Sequence, residues 1–481
     1  MHLKQVTLNN FRCFENIEVS LHPRLTVIVA ENGGGKTSIL DGIAIGLAPI
    51  LRYLSSANQR LSGPGFKDTD FRLVPAASKG DEKWVASDYV RVLLETEDGL
   101  SWDQSAVSSK GKGKQPINKV GQAQLAAHLA EVFDSLPTST PKLLPIFAYY
   151  GARRGWIEIP ERIRDSKVNY DFPTSALLGA LKSLSDFKEM LKWFDLEESA
   201  ELRASKEEYH ESPALSGVRE AISNILGKRY THPGFDHRHK FVIQSDIAPG
   251  VLQISQLSQG YQSMLALGMD FARRLALGNP HIEHFGHGAQ WEKSVDDYVH
   301  QWMPKRDDMA LFGPAWAPAI MLVDEIDLHL HPEWQQRVLD DLMRTFPGTQ
   351  FIVTTHSPQV LTTVKRESIR MLAQDAKGVW TADNPKEQTR GVESATALAG
   401  VMHVDPIPPV QEARDLSRYQ QMIQLRQHDS EEGQKLRTVL DLHFGPRHPL
   451  VLDCDRLIRL EQFKAKLPVK PSKPADKRCT T

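Results

Sequence analysis

The sequence has little cysteine, no long apolar run and almost no net charge. Its three cysteines, Cys13, Cys454 and Cys479, are scattered and fit neither a disulfide framework nor a zinc site. No stretch approaches the roughly 20 apolar residues of a membrane span, and the opening MHLKQVTL resembles a strand and not a signal peptide. The formal net charge of −2 leaves no global attraction to nucleic acid. These absences predict a cytoplasmic protein, and its 481 residues predict more than one lobe.

What is present begins with a phosphate-binding loop. Residues 30–38 read AENGGGKTS, between an apolar run typical of a buried strand and an apolar-periodic segment typical of a helix. Glycines let backbone N–H groups turn toward phosphate oxygens at the helix N-terminus. Lys36 is expected to meet the β- and γ-phosphates, and Thr37 to offer its hydroxyl to Mg²⁺. The predicted ATP-binding residues of the loop are Asn32, Gly33, Gly34, Gly35, Lys36, Thr37 and Ser38.

The loop departs from G-x-x-x-x-G-K-[ST] at its first position, which is Ala30. Alanine is costly wherever φ must be positive. We therefore expect the chain to enter the loop with ordinary backbone angles and to make the tight part at the three glycines.

Two further strand ends carry candidate catalytic groups. Residues 320–323 form a short apolar run that ends at Asp324 and Glu325, as a buried parallel strand does. We predict that Asp324 holds Mg²⁺ and that Glu325 polarises the attacking water, although adjacent carboxylates could instead cap the next helix. The β-branched run 351–355 ends at His356, whose imidazole could donate a hydrogen bond to the γ-phosphate.

Between these motifs, residues 257–260 read LSQG and precede a long apolar-periodic segment. Ser258, Gln259 and Gly260 would then lie at a helix N-terminus, which favours phosphate. A phosphate-binding loop already covers one side of ATP. The second helix N-terminus is therefore expected to act in trans, on the nucleotide of another subunit.

The order of these motifs resembles the ABC-type ATPase head. The opening LNNFRCF resembles the L-x-N-F-R-x-F start of the RecF and SMC branch, in which an arginine matching Arg12 lies near the nucleotide. Residues 324–332, DEIDLHLHP, resemble the OLD group of that branch. The closest resemblance is to PtuA-like ATPases of the Septu antiphage defence system, predicted ATP-binding proteins involved in virulence, through segments such as LSQGYQSMLALGMDFARRLA and VDEIDLHLHPEWQQRVL.

The resemblance implies an α/β fold: an ABC-type P-loop head with a mixed sheet, flanking helices and an antiparallel β lobe. It further implies ATP and Mg²⁺ as cofactors, a homodimer or higher homo-oligomer with nucleotide between the heads, and a partner HNH nuclease of the PtuB type that the ATPase restrains. Nucleic acid would be contacted through that complex. Two alternatives stay open: a RecF-like ATPase of DNA repair that binds DNA ends, and a nucleotide-gated scaffold with little turnover.

The predicted organisation interrupts the head with helices. We expect an N-terminal lobe at 1–155, a helical insertion at 156–236, a C-terminal lobe at 237–375, a helical appendage at 376–463 and a disordered basic tail at 464–481. Residues 281–316, with three tryptophans, could be a partner surface or local packing. Arg153 and Arg154 could form surface ion pairs or contact nucleotide or a neighbouring subunit.

The sequence also bears on nuclease chemistry. Asp453 and Asp455 have the D-x-D spacing of a metal site, but they fall in an expected helix, 450–463, and not at a strand end. We therefore expect no nuclease activity in this chain.

Overall fold

The computed structural model describes residues 1–57, 59–75, 84–108, 119–155, 169–183, 187–205, 211–227, 229–246, 250–282 and 313–466. They belong to two compact units, Met1–His403 and Val404–Thr481. Residues 283–312, which include Trp291 and Trp302, lie outside the described part, as do the side chain of Arg154 and residues 467–481.

The strands follow in chain order. They are β1 (Leu3–Phe11), β2 (Phe14–Ser20), β3 (Leu25–Val29), β4 (Leu73–Pro75), β5 (Trp84–Ala86), β6 (Tyr89–Thr96), β7 (Ser101–Val107), β8 (Ile146–Tyr150), β9 (Tyr230–Phe235), β10 (Phe241–Ser245), β11 (Gly250–Gln253), β12 (Ala319–Val323), β13 (Thr349–Thr354), β14 (Ile369–Gln374) and β15 (Trp380–Asp383).

The helices of the described residues are α1 (Lys36–Tyr53), α2 (Gln122–Ser135), α3 (Phe187–Ala204), α4 (Pro213–Ile225), α5 (Gln259–Gly278), α6 (Pro332–Gln335), α7 (Val338–Thr345), α8 (Pro358–Leu361), α9 (Ser394–Gly400), α10 (Gln411–Gln424), α11 (Glu431–Phe444) and α12 (Pro449–Lys466). Among the residues described, no helix combines the length and the hydropathy that crossing a membrane requires.

A six-stranded sheet of order β15-β14-β3-β13-β12-β8 forms the centre of the first unit. Its neighbours are parallel except for the antiparallel pair β14 and β15. Every residue of β3, β8, β12 and β13 is buried, as their largely apolar runs predict for strands covered on both faces. Because carboxyl ends of parallel strands share one edge, the phosphate-binding loop, Asp324 and His356 meet there.

A second sheet is antiparallel, with the order β2-β1-β6-β7, and forms the predicted β lobe. Helix α1 packs against it through two glycines. A Cβ added at Gly42 would lie 2.7 Å from Leu8 Cδ2, and one added at Gly46 would lie 2.7 Å from Leu94 Cγ. These close approaches bring the helix that follows the phosphate-binding loop directly onto the lobe. The two sheets and their helices confirm the predicted mixed α/β head.

The described residues of the predicted insertion, 156–236, include α3 and α4 and end in β9, which pairs with β10 beyond residue 236 in a small sheet of order β11-β10-β9. Helix α3 packs on that sheet, where the rings of Phe194 and Phe241 meet edge to face with centroids 5.1 Å apart. The chain then enters α5, which is buried along most of its length. The insertion therefore leads directly to the LSQG segment.

The second unit contains α10, α11 and α12 around a small core of Tyr419, Ile423, Leu440 and Cys454. Asp453 and Asp455 lie within α12, as expected, and they pair with Arg456 and Arg437. Residues two positions apart on a helix do not face each other, and each of these carboxylates is in an ion pair with arginine, unlike a pair of carboxylates that converge at a strand end.

The boundary of this unit differs from the predicted one. The expected appendage starts at residue 376, whereas the second unit starts at Val404. Strand β15 continues the central sheet by pairing with β14, with Met371 opposite Asp383. Helix α9 packs beside α8 in the first unit. Residues 376–403 therefore complete the head, because the edge of β14 is paired by chain that lies beyond the last motif.

Candidate nucleotide site

The phosphate-binding loop has the backbone that its glycines predict. Gly33 and Gly35 have φ of 78° and 83°, in the left-handed region that favours glycine. Gly34 is needed for space, because a Cβ there would lie 2.7 Å from Ala30 Cβ. Ala30 itself does not have a positive φ, as predicted. Helix α1 has neither a side-chain N-cap nor an acidic residue in its first turn, which leaves its N-terminus suited to an anion.

Lys36 folds back onto this loop. Its Nζ donates to the carbonyl oxygens of Ala30 and Glu31, at 2.9 and 3.1 Å. Partial burial lowers its pKa below the ordinary value, while the nearby carboxylates of the strand-end motif, Asp324 first, oppose that shift. A phosphate oxygen can replace the two carbonyls as acceptor, so the side chain is already at the position where the motif needs a cation.

Thr37 and Asp324 lie together although 287 positions separate them. Thr37 Oγ1 donates to Asp324 Oδ2 at 2.9 Å. The other carboxylate oxygen of Asp324 accepts from Thr354 Oγ1 at 2.6 Å. A hydroxyl and a carboxylate at this distance are the hard oxygen donors that Mg²⁺ prefers, so the two residues fit the predicted metal role.

Glu325 stands just beyond the strand with a left-handed backbone, φ 50°, which is uncommon for a residue other than glycine. Its N–H donates to Thr354 Oγ1 at 2.7 Å. The side chain is half-buried. Strained backbone angles of this kind cluster at functional sites, so this position is consistent with the predicted water-polarising role.

His356 is held against the segment that follows β12, through Asp327. Its backbone N–H donates to Asp327 Oδ1 at 3.3 Å, and Thr355 Oγ1 donates to the same oxygen at 2.5 Å. The imidazole is half-buried. The ends of β12 and β13 are thus tied together by side-chain bonds, and Glu325 and His356 both lie at the edge of the sheet where the phosphate-binding loop starts.

Arg12 lies beside the loop but is engaged by acidic neighbours. Its guanidinium pairs with Asp41 of α1 at 2.7 Å and with Asp70 at 2.9 Å. The hydroxyl of Tyr149 donates to the other oxygen of Asp41 at 2.8 Å. Nε and Nη1 make these two ion pairs, so the predicted contact between Arg12 and nucleotide would fall to the other N–H groups of the guanidinium.

The LSQG segment forms the start of α5, as predicted. Ser258 is the exposed N-cap residue and Gln259 is exposed, while Gly260 is buried. A Cβ at Gly260 would lie 2.6 Å from the carbonyl oxygen of His329, so glycine is required by close approach. Like α1, α5 has no side-chain N-cap bond and no acidic residue in its first turn. The helix therefore presents free N–H groups at an exposed end.

Sequence reasoning missed a buried network that links α5 to the strand beside Asp324. The carbonyl of Tyr150 accepts the Asp324 N–H at 2.8 Å, and its hydroxyl donates to Asp270 of α5 at 2.9 Å. Burial alone would raise the pKa of Asp270, but Arg274 and Arg273 lower it to about 2. The paired tyrosines at the end of an apolar strand were the available signal, since a buried Tyr hydroxyl needs a partner.

Together, the strand order and the motif geometry define an ABC-type ATPase head. A family model described as "AAA domain" matches residues 5–228, and one described as "AAA domain, putative AbiEii toxin, Type IV TA system" matches residues 250–362. The chain is an ATPase that resembles the RecF- and SMC-like ABC class and has partial similarity to PtuA.

Relatives extend over nearly all of it. The chain is 27% identical to "Retron Ec83 probable ATPase" of Escherichia coli, across 93% of this chain and 84% of that protein. It is 25% identical to "Retron Vc95 probable ATPase" of Vibrio cholerae serotype O1 biovar El Tor, across 92% and 88%. Septu protein PtuA of Bacillus thuringiensis is 28% identical over 27% of this chain and 33% of PtuA. The predicted resemblance to PtuA is confirmed in that part, while the similarity to the two retron ATPases covers more than nine-tenths of the chain.

Proposed function

We propose that this ATPase is the Mg²⁺-dependent regulatory subunit of an antiphage complex, in which its nucleotide state restrains a partner nuclease. The observation that carries the proposal is the junction of Thr37, Asp324 and Thr354 at the phosphate-binding loop. Three chain segments meet there at one carboxylate, and hydroxyl and carboxylate oxygens brought together in this way support a site for a nucleotide with its cation. The similarity to PtuA and to retron ATPases supports the defence role.

In this proposal each residue has one task. Backbone N–H groups of residues 32–38 and the Lys36 ammonium bind the phosphates. Thr37 and Asp324 would hold Mg²⁺, which neutralises charge on the β- and γ-phosphate oxygens when bound. Glu325 accepts the proton of the attacking water, and His356 donates a hydrogen bond to the γ-phosphate.

The exposed, uncapped N-terminus of α5 supports an assembly with composite sites. We propose a head-to-tail dimer, alone or as part of a larger oligomer. In it, Ser258, Gln259 and Gly260 close over the ATP of the partner subunit. The helix dipole favours negative charge only within the first turn of the helix. A bulky arginine in place of Ser258 would fill the space beside that turn and block a partner's nucleotide, without changing the phosphate-binding loop of its own subunit.

Mixing two inactive subunits tests this arrangement. One carries Lys36→Ala and the other Ser258→Arg, and neither homodimer should hydrolyse ATP. A mixed dimer keeps one site with an intact loop and an intact signature, so we expect hydrolysis near half of the wild-type rate per dimer. Phosphate release is measured on heterodimers purified through two different tags. Heterodimers with no activity at all would contradict composite sites.

The second unit supports the partner role. Its helices expose large apolar side chains, with Leu442 88% and Phe463 61% exposed. We propose that the nuclease of the PtuB type docks within residues 376–463, with residues 281–316 as a further contact. Because residues 376–403 complete the head, the docking surface is expected on the helices beyond Val404.

Removing residues 404–481 tests the docking surface and leaves β15 in place. We expect unchanged ATP affinity and loss of co-purification with a co-expressed HNH nuclease encoded beside this gene. Leu442→Glu and Phe463→Glu in the full-length chain should weaken capture in the same assay, and Lys365→Glu, at an exposed position of the first unit, serves as the control. If the truncated head captures the nuclease at full stoichiometry, docking occurs on the head. Salt-resistant binding of DNA ends by the chain alone would instead favour the RecF-like function.

A further inference from the structure

Thr354 contacts both acidic residues of the strand-end motif, Asp324 and Glu325. It is the last residue of β13 and is fully buried. Its hydroxyl donates to Asp324 Oδ1 at 2.6 Å and accepts the Glu325 N–H at 2.7 Å. Its backbone carbonyl accepts a hydrogen bond from the N–H of Ile326, the residue after Glu325, at 2.9 Å. One residue thus orients a carboxylate and two consecutive backbone amides of the neighbouring strand end.

We propose that Thr354 is a positioning residue for ATP hydrolysis, an inference that rests on the proposed roles of Asp324 and Glu325. A hydroxyl can donate one hydrogen bond and accept others, so it serves both neighbours at once. Valine has the same shape and can do neither. Serine keeps the hydroxyl and loses only a methyl group.

The first consequence concerns Asp324. Its two carboxylate oxygens are held separately, Oδ2 by Thr37 and Oδ1 by Thr354. Thr37 is also the residue that would bind the cation, and when its hydroxyl turns to that task Oδ2 loses a donor. Thr354 contacts the other oxygen and does not take part in that exchange. It therefore keeps the Asp324 carboxylate in one orientation through the binding of nucleotide.

The second consequence concerns Glu325. Its left-handed backbone directs the chain out of β12, and such a conformation persists only where surrounding contacts impose it. The bonds from the Glu325 and Ile326 amides to Thr354 are two of those contacts. Without the hydroxyl, the Glu325 carboxylate can move by a fraction of an ångström, and displacements of about 1 Å at a reacting centre can lower rates about 100-fold.

The test compares Thr354→Val, Thr354→Ser and a matched control, Thr345→Val. Thr345 is a buried threonine of α7 whose hydroxyl donates to a backbone carbonyl, that of Asp341 at 2.7 Å. For each variant, kcat and KM for ATP are measured with Mg²⁺, and ATP affinity is measured by calorimetry with Mg²⁺ and again with EDTA. Thermal unfolding shows whether each variant is folded.

We expect Thr354→Val to lower kcat about 10- to 100-fold, the usual range for a group that orients a metal-binding residue. Its ATP affinity in EDTA should stay within about threefold of wild type, because the phosphate-binding loop is untouched, and the gain in affinity on adding Mg²⁺ should shrink. Thr354→Ser should keep kcat within about threefold. Thr345→Val should change only the unfolding temperature.

Three outcomes would overturn the inference. They are a wild-type kcat in folded Thr354→Val, equal losses in the valine and serine variants, and an equal loss of ATP affinity with EDTA and with Mg²⁺. If the valine variant does not fold, Thr354→Ala is measured against Thr354→Ser with the same expectations. If the wild-type chain binds ATP without hydrolysing it, the proposed turnover fails, and the Mg²⁺-dependent gain in affinity still decides the role of Thr354.

Discussion

Replacing Lys36 with alanine is expected to lower ATP affinity by about one to three orders of magnitude. The Nζ group already lies against the loop, where it donates to the carbonyls of Ala30 and Glu31. Each charge-assisted hydrogen bond to phosphate is worth about 1.5–3 kcal/mol, and each 1.4 kcal/mol changes affinity about tenfold. Removing the cation loses such contacts together with the local positive charge.

Titration calorimetry with ATP and Mg²⁺ measures this effect. Lys377→Ala is the matched control, because that lysine is exposed on a turn before β15 and is remote in sequence from the loop. It should bind ATP as the wild type does. Unchanged affinity in Lys36→Ala would show that this loop does not bind the phosphates.

Glu325→Gln is expected to lower hydrolysis about 10²- to 10⁴-fold while ATP still binds. Glutamine keeps the shape of the side chain and can adopt the left-handed backbone of this position as readily as glutamate, so the loop should remain intact. It cannot accept the proton of the attacking water. The variant should therefore hold ATP between subunits and form a better-ordered oligomer.

Phosphate release and light scattering with ATP measure the two parts of this prediction. Glu333→Gln, at an exposed position of α6, changes the same functional group outside the site and should hydrolyse ATP at the wild-type rate. Wild-type turnover by Glu325→Gln would assign the activation of water to another residue. Lost ATP binding in this variant would mean that Glu325 supports the structure of the site.

The predicted motifs lie at observed strand ends because the apolar runs before them are the strands that the central sheet buries. The runs 25–29 and 320–323 are apolar except for Thr26, and the sheet buries them completely. Prediction was weaker after residue 375, where the appendage was expected to start. No local pattern tells that Trp380–Asp383 pairs with Ile369–Gln374, because pairing depends on which edge is free in the assembled sheet.

The sequence by itself determined the parts of this ATPase that depend on short-range chemistry. Glycines at 33 and 35 specify a left-handed turn before a helix, and an apolar strand that ends in Asp324 and Glu325 specifies acidic groups at a sheet edge. Only the tertiary structure decided which distant groups these residues meet. Thr37 and Thr354 bind opposite oxygens of Asp324, and Tyr150 connects that residue to α5. Such contacts follow from strand order and parallel register, which join residues far apart in the chain and leave no periodic trace in it.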